Sequence, residues 1–497
     1  MAVLYRSTRS DRDPVSASQA ILQGLSEDGG LFVPDHMPKL DVPLKDLAGM
    51  NYREVAFEVM KLFLSDFSDE ELKDCIRKAY DEKFDSELIA PIRQPEKGGA
   101  YYLELFHGAT IAFKDMALSI LPHLMRTAAA KNHLDREIVI LTATSGDTGK
   151  AALAGFAGVP GTKIIVFYPK NGVSSIQERQ MVTQTGDNTC VAGIMGNFDD
   201  AQSGVKAIFT DPAVKELLAQ SGYQFSSANS INIGRLVPQI VYYVYAYTRL
   251  LAEGSIQESE EINFVVPTGN FGNILAGYYA KQIGLPVKKL ICASNANKVL
   301  YDFFGTGVYD RNREFILTSS PSMDILISSN LERLIYHIAG DDPAANAAYM
   351  RDLAQGGRYA ITDRMTEELA DFAGGFATEE ETAAEIARLY KAAGYVIDPH
   401  TAVASSVYES YRKSAGDAAA AVIVSTASPF KFESSVMKAL GQEHDMDDLA
   451  LADKLSELSG VPVPAAVSSL KGAPVRHTRV CEKNEMLNVV KDFLGIE

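Results

Sequence analysis

Val265-Val-Pro-Thr-Gly-Asn-Phe-Gly-Asn-Ile-Leu-Ala-Gly277 is a β-rich run that ends in two glycines and opens into a helix of small residues. Gly269 and Gly272 free the backbone to turn its N–H groups toward an anion, and the helix behind them adds the positive end of its dipole. The spacing is neither that of a Walker loop nor Gly-x-Gly-x-x-Gly, so a nucleotide is not the natural ligand. An ordinary strand-to-helix turn is the competing reading. The same strand, polar turn and helix recur at Leu141-Thr-Ala-Thr-Ser-Gly-Asp-Thr-Gly-Lys-Ala-Ala152. There Ser145 and Thr148 suit a carboxylate at a helix N-terminus, or equally a plain helix cap. Upstream, Phe106-His-Gly-Ala-Thr-Ile-Ala-Phe-Lys-Asp-Met-Ala-Leu118 sets Lys114 between a polar turn and an amphipathic helix, with Phe113 as an apolar wall. A lysine amine near an electrophile and partly desolvated becomes a nucleophile; most single lysines are solvated surface charges.

Around these turns, β-branched runs at Ile138–Leu141, Ile164–Phe167, Phe264–Val266, Leu290–Cys292 and Ala421–Val424 alternate with helical stretches. That alternation predicts an α/β fold of open, mostly parallel sheets with flanking helices, in which ligands bind at the C-terminal ends of strands. Residues 1–90 read as a helical N-terminal domain, with helices expected over Tyr52–Phe63 and Glu70–Lys78. Residues 91–146, 226–328 and 392–497 are expected to build a large α/β domain, and 147–225 a small one. Residues 329–391, rich in Ala, Glu, Arg and Leu with no convincing strand, suggest an inserted helical subdomain, or further flanking helices of the same domain.

The 497 residues carry a net charge of −17 and no basic stripe with interleaved aromatics, which argues against nucleic acid. An anionic substrate then needs local positive groups to overcome the average field. Four scattered cysteines without C-x-x-C spacing suggest a reducing compartment and no disulfide frame. The histidines form no i,i+3 or i,i+4 pair, so no metal centre is expected. Neither an apolar leader in residues 1–14 nor a membrane-length apolar run is present, so a cytoplasmic protein is the expectation, as monomer or homodimer.

Taken together, the three turns resemble the pyridoxal-phosphate enzymes of the tryptophan-synthase-like fold, and within them the threonine synthase family. Further segments fall in that family's order: Tyr5–Arg9, Gly24–Pro34, Asn229–Arg235, Ser320–Ile325, Ser329–Arg333, Asp398–Ala402 and Ser425–Pro429. The resemblance implies pyridoxal 5'-phosphate held covalently by Lys114, with Gly269, Asn270, Phe271, Gly272 and Asn273 on its phosphate and Thr426 facing its ring nitrogen. It implies O-phospho-L-homoserine as substrate, and L-threonine and phosphate as products. Ser145, Asp147 and Thr148 then belong to the substrate side, while Lys150, Asn232 and Arg235 suit the leaving phosphate. A guanidinium fork matches phosphate oxygens; a helix-surface ion pair is the other role open to Arg235.

Asp147 stands where sister families have asparagine. A carboxylate beside the cofactor's phenolic oxygen would repel it, so Asp147 is expected to be protonated or turned away in the resting enzyme. His400 is expected only to support its local turn. The nearest alternative activity is a phospho-lyase releasing 2-oxobutanoate from the same substrate. A serine/threonine dehydratase and a cofactor-free scaffold are further alternatives; the first leaves Arg235 and Lys150 without a second anion to serve, the second leaves Lys114, Gly269–Asn273 and Thr426 without a purpose.

Overall fold

Two parallel sheets, each assembled from distant parts of the chain, set the framework in the computed structural model, which describes residues 2–144, 146–173, 175–442 and 446–496. The six-stranded sheet runs in the order Phe372–Phe376, Val287–Ser294, Ile262–Pro267, Ala421–Ser425, Tyr101–Glu104, Ile92–Arg93. Only the last pair is antiparallel. Ile262–Pro267 is buried along its whole length, as a parallel strand covered on both faces must be. The 20-residue helix Ile233–Ala252 covers one face, and the Tyr243 ring meets Phe264 edge-on at 4.9 Å.

The five-stranded sheet is parallel throughout, in the order Arg479–Cys481, Thr189–Ile194, Thr162–Pro169, Glu137–Ala143, Tyr223–Ser226. Every strand expected from a β-branched run is present, each extended by a residue or more. In the N-terminal region, helices Tyr52–Phe63 and Asp69–Ala79 form where expected, each opened by a capping box, Asn51 with Glu54 and Ser68 with Glu71.

Sheet membership moves several expected boundaries. Glu137–Ala143 pairs with Thr162–Pro169 and so belongs to the small sheet, not to the large domain. Arg479–Cys481, also expected in the large domain, closes the edge of the small sheet beside Thr189–Ile194. Phe372–Phe376 lies inside the stretch expected to be only helical, yet it forms the edge of the large sheet. Gly374 and Gly375 conceal it: they remove the β-branched signal because helix Pro399–Ala415 packs so closely that a Cβ at Gly375 would sit 2.4 Å from Val407. Arg358–Ala360 is a second strand there, paired with Val308–Asp310. The N-terminal region likewise adds an antiparallel pair, Tyr5–Ser7 with Phe32–Pro34. A strand's partner depends on chain crossovers, which local periodicity does not encode. Among the described residues no helix is long and apolar enough to cross a membrane.

The two sheets meet where helix Asp147–Phe156 is pressed against the turn Asp115–Leu118 that follows Lys114. A Cβ on Gly155 would lie 2.2 Å from the Leu118 carbonyl oxygen, so only glycine allows this approach. Gly155→Ala is expected to cost about 1–3 kcal/mol of stability, read as a lowered Tm. An unchanged Tm would mean that the two segments separate freely.

Candidate active site

The Lys114 turn is sewn to the end of a central strand. Phe113 N–H donates to the Thr426 carbonyl at 2.8 Å, and Ser428 N–H donates to the Ile111 carbonyl at 3.1 Å. Inside the turn, Thr110 gives its backbone N–H and hydroxyl to Asp115 at 2.8 and 2.6 Å, and burial pushes the Asp115 carboxyl above its ordinary range. Ile111 takes φ +50°, a conformation that β-branched residues rarely adopt and that surrounding bonds must enforce. The result is a buried amine: Lys114 Nζ lies 3.4 Å from Asp147 Oδ2, 3.3 Å from Ser322 Oγ and 5.0 Å above the Phe113 ring. Burial lowers its pKa; Asp147 opposes that shift, while Lys431 and Arg235 add to it.

Asp147 sits in the first turn of its helix, where the helix dipole favours negative charge. Its Oδ1 accepts from Lys431 Nζ at 2.9 Å and Gln177 Nε2 at 3.1 Å; Oδ2 accepts from Ser322 Oγ at 3.1 Å as well as facing Lys114. Burial alone would raise its pKa, but the Lys431 and Lys114 ammonium groups hold it well below the usual carboxylate range. The expectation of a protonated or averted Asp147 weighed only the cofactor's phenolic oxygen; in this structure the carboxylate faces Lys114 and Lys431. That expectation reckoned without Lys431, the second cation.

Lys150 and Lys431 each donate to the Thr110 carbonyl at 3.3 Å. Lys150 is buried, and burial together with Lys431 pushes its pKa well down. Glu433 beside them is raised by burial to about 8, so it neutralises little of this charge. Arg235 is 2 % exposed; Nη1 donates to the Ala228 carbonyl at 2.9 Å, and among the described residues it has no carboxylate partner and its Nε no hydrogen-bond partner. Burial lowers its pKa to about 10. The surface ion pair is thus excluded, and what remains is a buried guanidinium close enough for its charge to lower the Lys114 pKa.

Asn232 does not join this group. Its amide nitrogen is spent on the Ile21 and Ser227 carbonyls and its oxygen on Gly234 N–H, capping the helix that carries Arg235. Thr148 is half-buried in the first turn of the Asp147 helix. Ser145 lies outside the described residues.

At the glycine turn, a Cβ on Gly269 would lie 2.4 Å from the Ser322 carbonyl oxygen, which fixes glycine there. Phe271 adopts φ +63° and opens helix Gly272–Gln282. Among the described residues, none of the backbone N–H groups of residues 269–273 has a protein acceptor. Asn273 holds its oxygen against the Tyr242 and Tyr243 hydroxyls at 2.6 and 2.7 Å, leaving its buried Nδ2 unpaired. A row of free donors plus a buried amide without a partner fits a phosphate group. Thr426 is buried beside the Lys114 turn to which its carbonyl is bonded.

Sequence reasoning missed Lys431, Gln177 and the role of Ser322. Lys431 lies two residues beyond Ser425–Pro429, and Ser322 lies inside Ser320–Ile325, so proximity to those segments was the available signal. His400 reaches further than its own turn. Its Nδ1 pairs with Asp398 Oδ2 at 2.7 Å and its Nε2 accepts Ser322 N–H at 3.2 Å, fixing the segment that carries the Ser322 hydroxyl. No group of three or more His, Cys, Asp or Glu able to hold a metal ion occurs among the described residues.

Three family models match consecutive parts of the chain: threonine synthase N terminus over residues 4–80, pyridoxal-phosphate dependent enzyme over 91–427, and threonine synthase C-terminal over 401–493. The chain is 36 % identical to threonine synthase of Saccharomyces cerevisiae, covering 92 % of this chain and 93 % of that protein. It is 40 % identical to human threonine synthase-like 1 over 85 % of its own length, but spans only 58 % of that longer protein. The crystal structure of pyridoxal-phosphate-bound threonine synthase from Brucella melitensis superposes with a TM-score of 0.87 at 35 % identity, covering 99 % of both chains.

Lys431→Met removes a repulsive neighbour of Lys114 and leaves Asp147 to it alone, so the Lys114 pKa should rise. The pH midpoint for attachment of pyridoxal 5'-phosphate, trapped by borohydride, should move upward. A midpoint that stays put or falls would contradict this electrostatic arrangement.

Proposed function

Because the chain belongs to the threonine synthase family of pyridoxal-phosphate-dependent enzymes, we propose that it converts O-phospho-L-homoserine and water to L-threonine and phosphate, with Lys114 as the catalytic amine. The observation that carries this reading is the surplus of buried cations, Lys114, Lys150, Lys431 and Arg235, around the single depressed carboxylate of Asp147. In a chain of net charge −17 such a surplus needs an anion to make it affordable. A substrate carrying both a carboxylate and a phosphate supplies it.

The residues divide the work by position. Gly269 to Asn273 hold the cofactor phosphate through free N–H groups and the unpaired Asn273 amide. Thr426 offers a hydroxyl to the ring nitrogen, which does not enforce ring protonation as a carboxylate would. When bound, the cofactor supplies the electron sink for carbanion character at the substrate carbons. Lys114, whose pKa burial lowers, accepts a proton and returns it from a fixed place. Ser322, Asp147 and the Phe113 ring surround the amine and restrict its swing. Arg235 and Lys150 stabilise charge on the departing phosphate, and Thr148 with Ser145 takes the substrate carboxylate. Asn232 acts through Arg235, whose helix it caps. All of these residues come from one chain, which is compatible with action as monomer or homodimer. The four cysteines are free thiols, consistent with placing the enzyme in the cytoplasm.

Incubation with pyridoxal 5'-phosphate and O-phospho-L-homoserine should release phosphate and threonine in equal amounts, and Lys114→Ala should abolish both. Phosphate with 2-oxobutanoate in place of threonine would refute the synthase reading in favour of a phospho-lyase. Arg235→Met should lower kcat/KM on the order of 100-fold; an unchanged value would remove Arg235 from the substrate site.

A further inference from the structure

The free N–H groups of the glycine turn point in a common direction only if something fixes the peptide planes that carry them. Two carbonyls on the far side of the turn are clamped. Ser328 Oγ donates to the Gly269 carbonyl at 2.6 Å. Asn330 gives the Asn270 carbonyl two bonds at 3.0 Å, one from its backbone N–H and one from Nδ2. In a trans peptide the carbonyl and the following N–H point opposite ways. Holding these carbonyls outward therefore aims the N–H groups of Asn270 and Phe271 inward.

Asn330 is itself held by Arg333, a wholly buried arginine with no carboxylate bonded to it among the described residues. Arg333 spends all three nitrogens on oxygens from three segments. Nη1 donates to Asn330 Oδ1, Nη2 to the Ile231 carbonyl at 2.5 Å, and Nε to the Phe32 carbonyl at 2.8 Å. Ile231 leads into the helix of Arg235, and Phe32 belongs to the N-terminal strand pair. The neighbouring Glu332 is tied to the same region: Thr8 Oγ1 donates to it at 2.6 Å, and Arg9 grips it with two bonds at 2.8 and 2.7 Å. Burying a guanidinium is costly unless each donor is satisfied. Here the satisfaction joins the N-terminal region, the arginine helix and the glycine turn in one network.

We propose that Asn330 and Arg333 are positioning residues for the cofactor phosphate, and that the N-terminal segment bearing Thr8, Arg9 and Phe32 takes part in cofactor binding through them, without touching the cofactor. This rests on reading Gly269–Asn273 as the phosphate site. Asn330→Ala leaves the Asn270 carbonyl one bond and frees the turn. It should raise the dissociation constant of pyridoxal 5'-phosphate about tenfold, the scale on which partners one bond removed act on a bound group. It should also move the phosphorus-31 resonance of the bound cofactor. Arg9→Met, at the half-exposed end of the network, should weaken cofactor binding in the same direction by a smaller factor and can be measured should Asn330→Ala fail to fold. Dissociation constants within twofold of the parent in both variants would overturn the proposal. So would an unmoved phosphorus resonance in Asn330→Ala, since a merely structural loss lowers the Tm of the cofactor-free protein and leaves that signal in place. Asn273→Ala separates the premise from the proposal: if it leaves cofactor affinity intact, the phosphate site has been misread.

Discussion

One shared carboxylate organises this molecule. Asp147 is the first residue of a helix that leaves the small sheet, and it faces two lysines that arrive from the large sheet's side. Neither lysine can be buried cheaply alone, and the carboxylate cannot be buried without them. The close approach that lets them meet is geometric: Gly155, two turns further along the same helix, admits the Leu118 carbonyl where any side chain would collide. Fold and chemistry thus share a constraint, because whatever separates these two segments also separates Lys114 from Asp147.

Charge in the site is deliberately unbalanced. Lys114 and Lys431 face Asp147 and hold its carboxyl well below the ordinary range, Lys150 and Arg235 are buried as well, and burial pushes Asp115 and Glu433 upward. Lys114 and Lys150 answer by losing basicity, Lys150 most strongly. An amine that is neutral part of the time is a better nucleophile and proton acceptor than a solvated ammonium. The same imbalance favours a dianionic ligand, so one electrostatic arrangement serves both binding and proton transfer.

Much of this was legible in the sequence because strand, turn and helix sit in local order. Val265–Gly277 displays its strand, its obligatory Gly269 and its helix in one window, and Lys114 follows an equally local turn. What escaped is long-range. Lys431 lies far along the chain from Asp147, with nothing in its neighbourhood to show where its ammonium would land, and the reading of Asp147 left that cation out. Arg235 looks like any helical arginine until its burial and lack of a carboxylate are seen. Asn232 shows the reverse: a polar residue in a suggestive motif whose oxygen caps a helix and whose amide nitrogen ties down neighbouring carbonyls. Phe372–Phe376 was hidden because glycines chosen for close packing erased its strand pattern, and sheet membership of Glu137–Ala143 and Arg479–Cys481 was decided by crossovers.

The central claim is that, among three buried lysines clustered at the junction, Lys114 alone is the reactive amine. Borohydride reduction of the protein with bound pyridoxal 5'-phosphate, followed by peptide mass spectrometry, tests it directly. The account predicts one phosphopyridoxyl group per chain, on Lys114. A label on Lys150 or Lys431 in its place would contradict it.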